Sequence, residues 1–399
     1  MRVVYCTDTY LPQVNGVTVV TELSVRGLIA RGWEVEVIAP RYPQQVPGAR
    51  PPRGANAALA RVHSIPSVPA PRYPELRVAL PDVWTIAGVI KRARPDIVHC
   101  ATEFVIGRLG MWAAERYRVP VVTSYHTNFR QYADVYGLGR LAGGVERYIG
   151  SVHRRAWRTF TPSEVARGAL ARMQVHNVEV WGRGVDLNLF SPARRSATLR
   201  TTLGVRSAFT YLYVGRLAPE KDVGTVIRAF AKLREQIGPD AAQLVIAGSG
   251  PDEIRLRQMA PTGTVFLGNL DRTTELPELY ATADAFAFAS TTETLGLVVL
   301  EAMASGLPVI AVPVGGVGEH LRHGENGIAC PAGDADAMSR AMLHLLTESE
   351  CRDRLAAGAL ATAQALGWES ELDRLDSAYR RICADAAAGR ELRPPLRHS

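Results

Sequence analysis

Glu293 and Glu301 stand eight residues apart, with Gly296 between them, in the stretch 289–307 (ASTTETLGLVVLEAMASGL). The apolar run 284–289 (DAFAFA) reads as a strand, and 297–304 (LVVLEAMA) reads as a helix that starts just after Gly296. Glu293 then occupies the loop at the strand's carboxyl end, and Glu301 lies more than one turn into the helix. The N–H groups that open a helix have no intrahelical acceptor and favour an anion. One carboxylate at a strand tip can accept hydrogen bonds from sugar hydroxyls. A second, one turn down, can accept from a ribose, with phosphates held between the two. The plainer reading is a partly buried helix acid and a solvated loop acid.

Cations of the right kind occur on a comparable loop. The segment 215–222 (GRLAPEKD) follows an apolar run, which puts Arg216 at a strand tip and Lys221 at the next helix start. Two cations five residues apart can straddle a diphosphate, Arg as a planar fork and Lys as a point charge. The turn 248–253 (GSGPDE) resembles a phosphate loop but lacks both GxGxxG and a GK[ST] ending, so a tight turn explains it better. Asp334-Ala335-Asp336 has the DxD pattern of metal-dependent sugar transferases, yet it precedes a helix, and N-capping accounts for it. No catalytic metal is expected. In the first half, Gly16 opens a helix after the first strand and leaves room for a phosphate or sugar against the backbone. His126 follows a buried strand, which places it at a strand tip.

These groups need scaffolding, and the chain supplies it twice. Its 399 residues correspond to about two domains. Short apolar strands at 3–6, 33–39, 97–100, 121–125 and 159–161 alternate with helical stretches at 18–31, 82–92, 107–117, 141–156 and 163–172. Residues 42–81, rich in Pro, Arg and Gly, read as a long loop with one short strand near 62–65. After a joint near 184–205 the alternation restarts, with strands at 211–214, 243–247, 264–267, 284–289, 308–312 and 327–330. Helices fill the intervals, others cover 335–346 and 368–388, and the tail 389–399 reads as disordered. Strands separated by helices imply parallel sheets, and such sheets bind ligands at their carboxyl ends.

Charge is uneven. Residues 1–190 carry 24 Arg and Lys against 14 Asp and Glu; residues 191–399 carry 22 against 25. A basic first half suits an anionic partner such as a membrane surface, an acidic lipid or an acidic sugar, and no nucleic acid is expected. No apolar run approaches 18 residues, and the start enters a strand without a secretory h-region. Five scattered cysteines without a CxxC pair fit a reducing compartment. The expected location is cytoplasmic, with peripheral attachment to the inner face of the cell membrane open.

Together Asn15-Gly16-Val17, His126, 215–222, 248–253, Glu293 with Glu301, and 315–327 (GGVGEHLRHGENG) resemble the retaining glycosyltransferases of family 4, across nearly the whole chain. The resemblance implies an α/β, GT-B fold: two doubly wound Rossmann-like domains facing across a cleft. They would be an acceptor-binding domain over 1–188, joined by a returning helix at about 370–388, and a nucleotide-sugar domain over 189–369. It implies that Arg216 and Lys221 hold the diphosphate, Glu293 holds sugar hydroxyls and Glu301 binds ribose. Thr294, Leu295, Gly296 and Leu297 would meet sugar and phosphate through backbone N–H groups, and His126 would serve substrate positioning. Many members carry two glycines where this chain has Asn15-Gly16. Three stretches, 72–81, 124–137 and 181–192, are similar to the bacterial branch that glycosylates glycolipids. GDP-mannose is the implied donor, with UDP-glucose, UDP-galactose or a sulfoquinovosyl donor as alternatives. The donor is a substrate, and no cofactor is implied. The acceptor is a glycolipid, or alternatively a soluble sugar. A sugar-nucleotide binding protein without turnover is the non-enzymatic alternative.

Overall fold

A strand that leads into a helix before the next strand can pair with it only in parallel, through a crossover. That rule builds both sheets of the computed structural model, which describes residues 1–13, 15–43, 60–70, 73–126, 139–202 and 209–390. The described residues divide into two units, one of 1–182 with 369–390 and one of 183–368.

The first unit holds β1 (Arg2–Cys6), β2 (Glu34–Pro40), β3 (Arg61–Ile65), β4 (Ser67–Ala70), β5 (Tyr73–Ala79), β6 (Ile97–Cys100), β7 (Val121–Ser124), β8 (Arg158–Thr161) and β9 (Val178–Val180). Seven of these form a parallel sheet in the order β3-β2-β1-β6-β7-β8-β9. Its helices are α1 (Gly16–Ala30), α2 (Val83–Ala93), α3 (Val105–Arg116), α4 (Gly139–His153) and α5 (Glu164–Arg172). Central strands are covered on both faces, so they read as unbroken apolar runs; Val3, Val4, Tyr5 and Cys6 are all buried.

Residues 42–81 carry more structure than the loop expected there. Beyond β3, the strands β4 and β5 pair antiparallel, with Val68 opposite Val78. Pro69 and Pro74 are compatible with such a two-stranded ribbon because its outer N–H groups face no partner strand. Residues 44–59 lie outside the described set, as does the tail 391–399.

The second unit contains α6 (Ala197–Thr202), β10 (Phe209–Val214), α7 (Val223–Ile237), β11 (Ala242–Ala247), α8 (Glu253–Met259), β12 (Thr264–Gly268), α9 (Glu275–Thr282), β13 (Ala285–Phe288), α10 (Leu297–Ala304), β14 (Val309–Ala311), α11 (Val317–His320), β15 (Gly327–Ala329), α12 (Ala335–Thr347) and α13 (Ser349–Gln364). The six strands are parallel, in the order β12-β11-β10-β13-β14-β15. Helix α13 has no counterpart among the sequence expectations. Its inward line is Leu355, Ala359 and Ala363, and alanines spaced by four give little apolar contrast.

The final helix, α14 (Trp368–Ala387), runs on into the first unit. There Leu372, Leu375, Tyr379 and Ile382 are buried. Burial of such side chains stabilises by roughly 1.5–3 kcal/mol each, against at most about 1 kcal/mol for an exposed ion pair. Apolar packing therefore outweighs the rim pairs of Arg31 with Glu369 and Asp373. Polar contacts fix the register: Trp33 Nε1 donates to Asp376 at 2.6 Å, and Trp181 Nε1 to the Glu371 carbonyl at 2.6 Å. The Tyr379 hydroxyl meets Tyr5 at 3.0 Å and His99 Nδ1, while His99 Nε2 meets Ser124 at 2.7 Å.

Burial, with the nearby charge of His126 adding, pushes the His99 pKa down to about 3. Its unfolded value is about 6.5, so the unfolded chain binds this proton first as pH falls. Stability is accordingly expected to drop by about 1.4 kcal/mol per pH unit from this group alone between roughly pH 6.5 and pH 3. Urea midpoints at pH 7 and pH 5 should differ in that direction, and His99→Gln, though less stable at pH 7, should show a shallower slope.

Candidate functional site

At the carboxyl edge of the second sheet, two loops are drawn together by an ion pair. Lys221 Nζ donates to Glu293 Oε1 at 2.6 Å, with both side chains largely buried. Lys221 ends a single 3-10 turn after β10, and Asp222 takes a left-handed φ of 43° before α7 begins. Arg216 is half-buried on the same loop, one residue beyond Gly215. The loop carrying Glu293 is tied to this turn by the Thr291 N–H, which donates to the Glu220 carbonyl at 3.2 Å. On its other side the Gly316 N–H donates to the Glu293 carbonyl at 3.1 Å.

Gly296 then caps α10 with φ of 78°, and a Cβ there would lie 2.5 Å from Val317 Cγ2. Both the left-handed backbone and the close approach of α11 require glycine. The amide hydrogens of Leu297 and Val298, at the start of α10, have no acceptor within the helix. Thr294 and Leu297 are half-buried and Leu295 is buried beside them. The 248–253 turn is a packing device, since a Cβ on Gly248 would fall 1.9 Å from the Gly215 carbonyl oxygen. It supports the Arg216 loop from behind.

Glu301 is almost fully buried on the inner side of α10. Its carboxylate pairs with Arg272 and accepts from the Tyr280 hydroxyl at 3.1 Å. Burial raises its pKa, opposed by the charge and hydrogen bond of Arg272. The Arg272 guanidinium lies 5.0 Å from the Phe190 ring centre, and that ring meets Tyr280 edge-on at 5.6 Å. Arg272, Tyr280 and Phe190 escaped the sequence reading. A buried glutamate in an apolar helix demands a cation, but nothing in 269–274 (NLDRTT) marks which one reaches it.

Asp334 and Asp336 are both engaged. Asp334 Oδ1 accepts from the Ala337 N–H at 2.8 Å and caps α12, and Asp336 pairs with Lys232.

In the first unit, Gly16 is exposed at the start of α1, with no atom within 4 Å of a Cβ built there. Asn15 caps the helix, its Oδ1 accepting from the Thr18 N–H at 2.9 Å. His126 is half-buried just beyond β7, two strands from β1 in the sheet. Burial, with the charge of His153 adding, pushes its pKa down to about 4, so it is neutral at physiological pH. Beneath it, His153 meets Glu103 at 3.2 Å and Thr123 at 2.9 Å. Asp8 is spent on the same edge, accepting from Thr102 at 2.6 Å and from the Ile106 N–H at 2.8 Å. Residues 127–137 of the stretch read as glycolipid-branch lie outside the described set.

Arg216, Lys221, Glu293 and the 294–296 backbone thus occupy loops of one sheet edge, with Leu297 and Glu301 on the helix α10 that follows, and Gly16 and His126 occupy the edge of the other sheet. Comparison with known proteins fits that division. Residues 14–189 match the family model Glycosyltransferase Family 4, and residues 203–361 match Glycosyl transferases group 1. A GDP-mannose-dependent alpha-mannosyltransferase of Mycolicibacterium smegmatis is 35% identical over 96% of this chain and 98% of its own length. An alpha-monoglucosyldiacylglycerol synthase of Streptococcus pneumoniae is 32% identical, covering 78% of this chain and 71% of that protein. Among solved structures, Anabaena Alr3699/HepE in complex with UDP and glucose superposes with a TM-score of 0.76 at 20% identity, over 96% of this chain and 99% of that one.

Removing one partner of a buried ion pair commonly costs about 3–5 kcal/mol, because the other charge is stranded. Arg272→Ala is expected to lose stability in that range by chemical denaturation. Adding Glu301→Gln to it should recover a large part, since an amide tolerates burial better than a lone carboxylate. Additive losses in that double-mutant cycle would count against the pairing.

Proposed function

The chain belongs to the family 4 glycosyltransferases, with the GT-B fold, and from that premise we propose that it moves a hexosyl group from a nucleoside-diphosphate sugar to an acceptor hydroxyl with retention of the α configuration. The observation that carries this reading is the Lys221–Glu293 contact beside Arg216 and the opening of α10. A cation that grips phosphate and an acid that grips sugar hydroxyls are held 2.6 Å apart, which suits a ligand carrying both groups side by side.

In the proposed reaction the C1–O bond to the diphosphate breaks and a C1–O bond to the acceptor forms on the same face. The departing phosphate oxygen takes the acceptor's proton. Arg216, Lys221 and the Leu297 and Val298 amides stabilise the charge that develops on the leaving group. That assignment needs no metal, and it agrees with Asp334 and Asp336 being occupied as a helix cap and an ion pair. Glu293 fixes the sugar, Glu301 accepts from ribose, and the backbone of Thr294, Leu295, Gly296 and Leu297 lines the sugar and phosphate. Gly16 approaches phosphate. His126, neutral, positions the sugar and acceptor by hydrogen bonding rather than by carrying charge.

GDP-mannose is the proposed donor, supported by the mycobacterial relative at 35% identity. A glucosyl donor is the second reading, favoured by the pneumococcal relative. Thermal shifts with GDP-mannose, UDP-glucose and UDP-galactose separate them, because a ligand at 100 times its Kd adds about 2.7 kcal/mol of stability. The largest shift is expected with GDP-mannose; a larger one with a UDP-sugar would reverse the assignment. Removal of one charged donor to a developing oxyanion commonly lowers kcat by about 10²- to 10³-fold. Arg216→Ala should do so at saturating donor, and wild-type turnover there would remove its diphosphate role.

The proposed acceptor is a glycolipid at an anionic membrane surface, reached from the cytoplasmic side. Support comes from the excess of cations over residues 1–190 and from α2, where Trp84 is 87% exposed and Lys91 and Arg92 follow two turns later on the solvent side. No helix among the described residues is long and apolar enough to cross a membrane. Each cation near an anionic bilayer contributes about 1 kcal/mol. Co-sedimentation with phosphatidylglycerol vesicles is expected to fall with salt and with Trp84→Ser; indifference to both would leave a soluble acceptor as the better reading.

A further inference from the structure

The β4–β5 ribbon carries apolar residues on the face where an antiparallel pair in water ordinarily carries polar ones. Its side chains alternate between two faces. Ala79 is buried on the inner face, in one core with Ile38, Ile65 and Ile86. Val78 and Leu80, on either side of it in sequence, belong to the outer face and are 44% and 45% exposed. Val68 stands opposite Val78 in the antiparallel register and is 44% exposed. The Leu80 N–H donates to the Pro66 carbonyl at 2.7 Å, which carries the pairing down to the ribbon's base. Trp84, the most exposed of the large apolar side chains, follows in the first turn of α2.

The strip has a definite place in the first unit. Parallel strands all end at one edge of their sheet. β4 begins two residues beyond the end of β3, and α2 begins four residues beyond the end of β5. A crossover helix starts at the carboxyl edge and returns the chain to the amino end of the next strand. The ribbon and Trp84 thus stand at the carboxyl edge, which also carries Gly16 and His126. From β3, the end of β1 lies two strands away, about 10 Å, and the end of β7 four strands away, about 20 Å.

Charge says what covers the strip. Residues 41–81 contain six arginines and a single acid, Glu75, a net of +5 in a chain whose total is +7. Arg41 is exposed at the ribbon's foot, where its carbonyl accepts from the Ser67 hydroxyl. Arg77 holds the ribbon together, its Nη2 donating to the Ser67 carbonyl at 2.6 Å. Apolar side chains in so cationic a stretch complement an anionic bilayer, which offers acyl chains beneath a layer of phosphates. A second copy of the chain would set like charges against each other.

We propose that the outer face of the β4–β5 ribbon, with Trp84, is the membrane-docking surface of the first unit: Val68, Val78 and Leu80 enter the headgroup region, and the positive charge of the stretch meets lipid phosphates. The assignment rests on the membrane-acceptor reading given above and deepens it. It names the element that inserts, and it sets the bilayer against the sheet edge of Gly16 and His126. A glycolipid reaches that edge with its acyl chains still in the membrane.

Co-sedimentation of the full chain with mixed phosphatidylglycerol and phosphatidylcholine vesicles tests this. Val68→Thr with Val78→Thr keeps a favourable cross-strand pair, and Leu80→Gln is added to it. Withdrawing one apolar side chain of leucine's size from a lipid contact weakens partition about tenfold. The triple variant should therefore bind at least about tenfold more weakly while its thermal midpoint holds. The ratio of wild type to variant should persist at high salt, where charge attraction is screened. Ile254→Thr, at a residue 75% exposed in the second unit, should bind as wild type. Should the triple variant lose its thermal midpoint, Val78→Thr alone is read in its place, with about a threefold loss expected. Wild-type affinity in the ribbon variants would overturn the proposal and leave the membrane reading standing, as would an equal loss in Ile254→Thr. Unchanged vesicle binding with a smaller sedimenting species would give the face to a second copy and overturn it too. Absence of vesicle binding by the wild-type protein would sink both the proposal and the membrane reading.

Discussion

A carboxylate sealed inside an apolar helix is the constraint around which the second unit is arranged. Taking an ion of that size out of water costs several kcal/mol even after relaxation, and helix α10 has no polar residue of its own to offset it. Compensation has to come from other elements: Arg272 from the turn after β12 and Tyr280 from α9. Arg272 is itself steadied on the face of Phe190. Three separate segments are therefore committed to one oxygen pair. A hydrophobic residue at 301 would pack there with less expense, so the retained carboxylate supports the ribose role proposed for Glu301.

The parts of this protein legible in its sequence are those governed by local rules. Alternating apolar strands and helices gave both parallel sheets, because a crossover leaves no other pairing. The shared edge of Arg216, Lys221 and Glu293 was legible because strand ends put their loops there, with Glu301 on the helix that follows. What escaped depends on contacts distant in sequence. Arg272 reaches Glu301 across 29 residues. The β4–β5 ribbon was hidden by its prolines, and α13 by its alanines, whose small side chains bury without producing contrast between faces.

The two candidate edges also differ in electrostatic character. The second unit's edge pairs opposite charges, so its groups are restrained before a ligand arrives. The first unit's edge relies on neutral groups: a histidine kept uncharged by burial, and a chain of hydroxyls and amides. Neutral donors aim without strong long-range attraction, whereas charged ones also attract from a distance. The proposed transfer would use the charged edge for the diphosphate and the neutral one for orientation.

Helix α14 belongs to the first unit although some 180 residues of the second separate it from the rest of that unit. Tyr379, buried among Tyr5 and His99, and Leu372, set against Gly27, come from the last tenth of the chain. During synthesis the seven-stranded sheet must therefore wait, with the groove for this helix vacant, until nearly the whole polypeptide has left the ribosome. The second unit is contiguous and has no such delay. The domain translated first is thus the one completed last, and a message cut short near its end would spare the later domain and leave the earlier one unfinished.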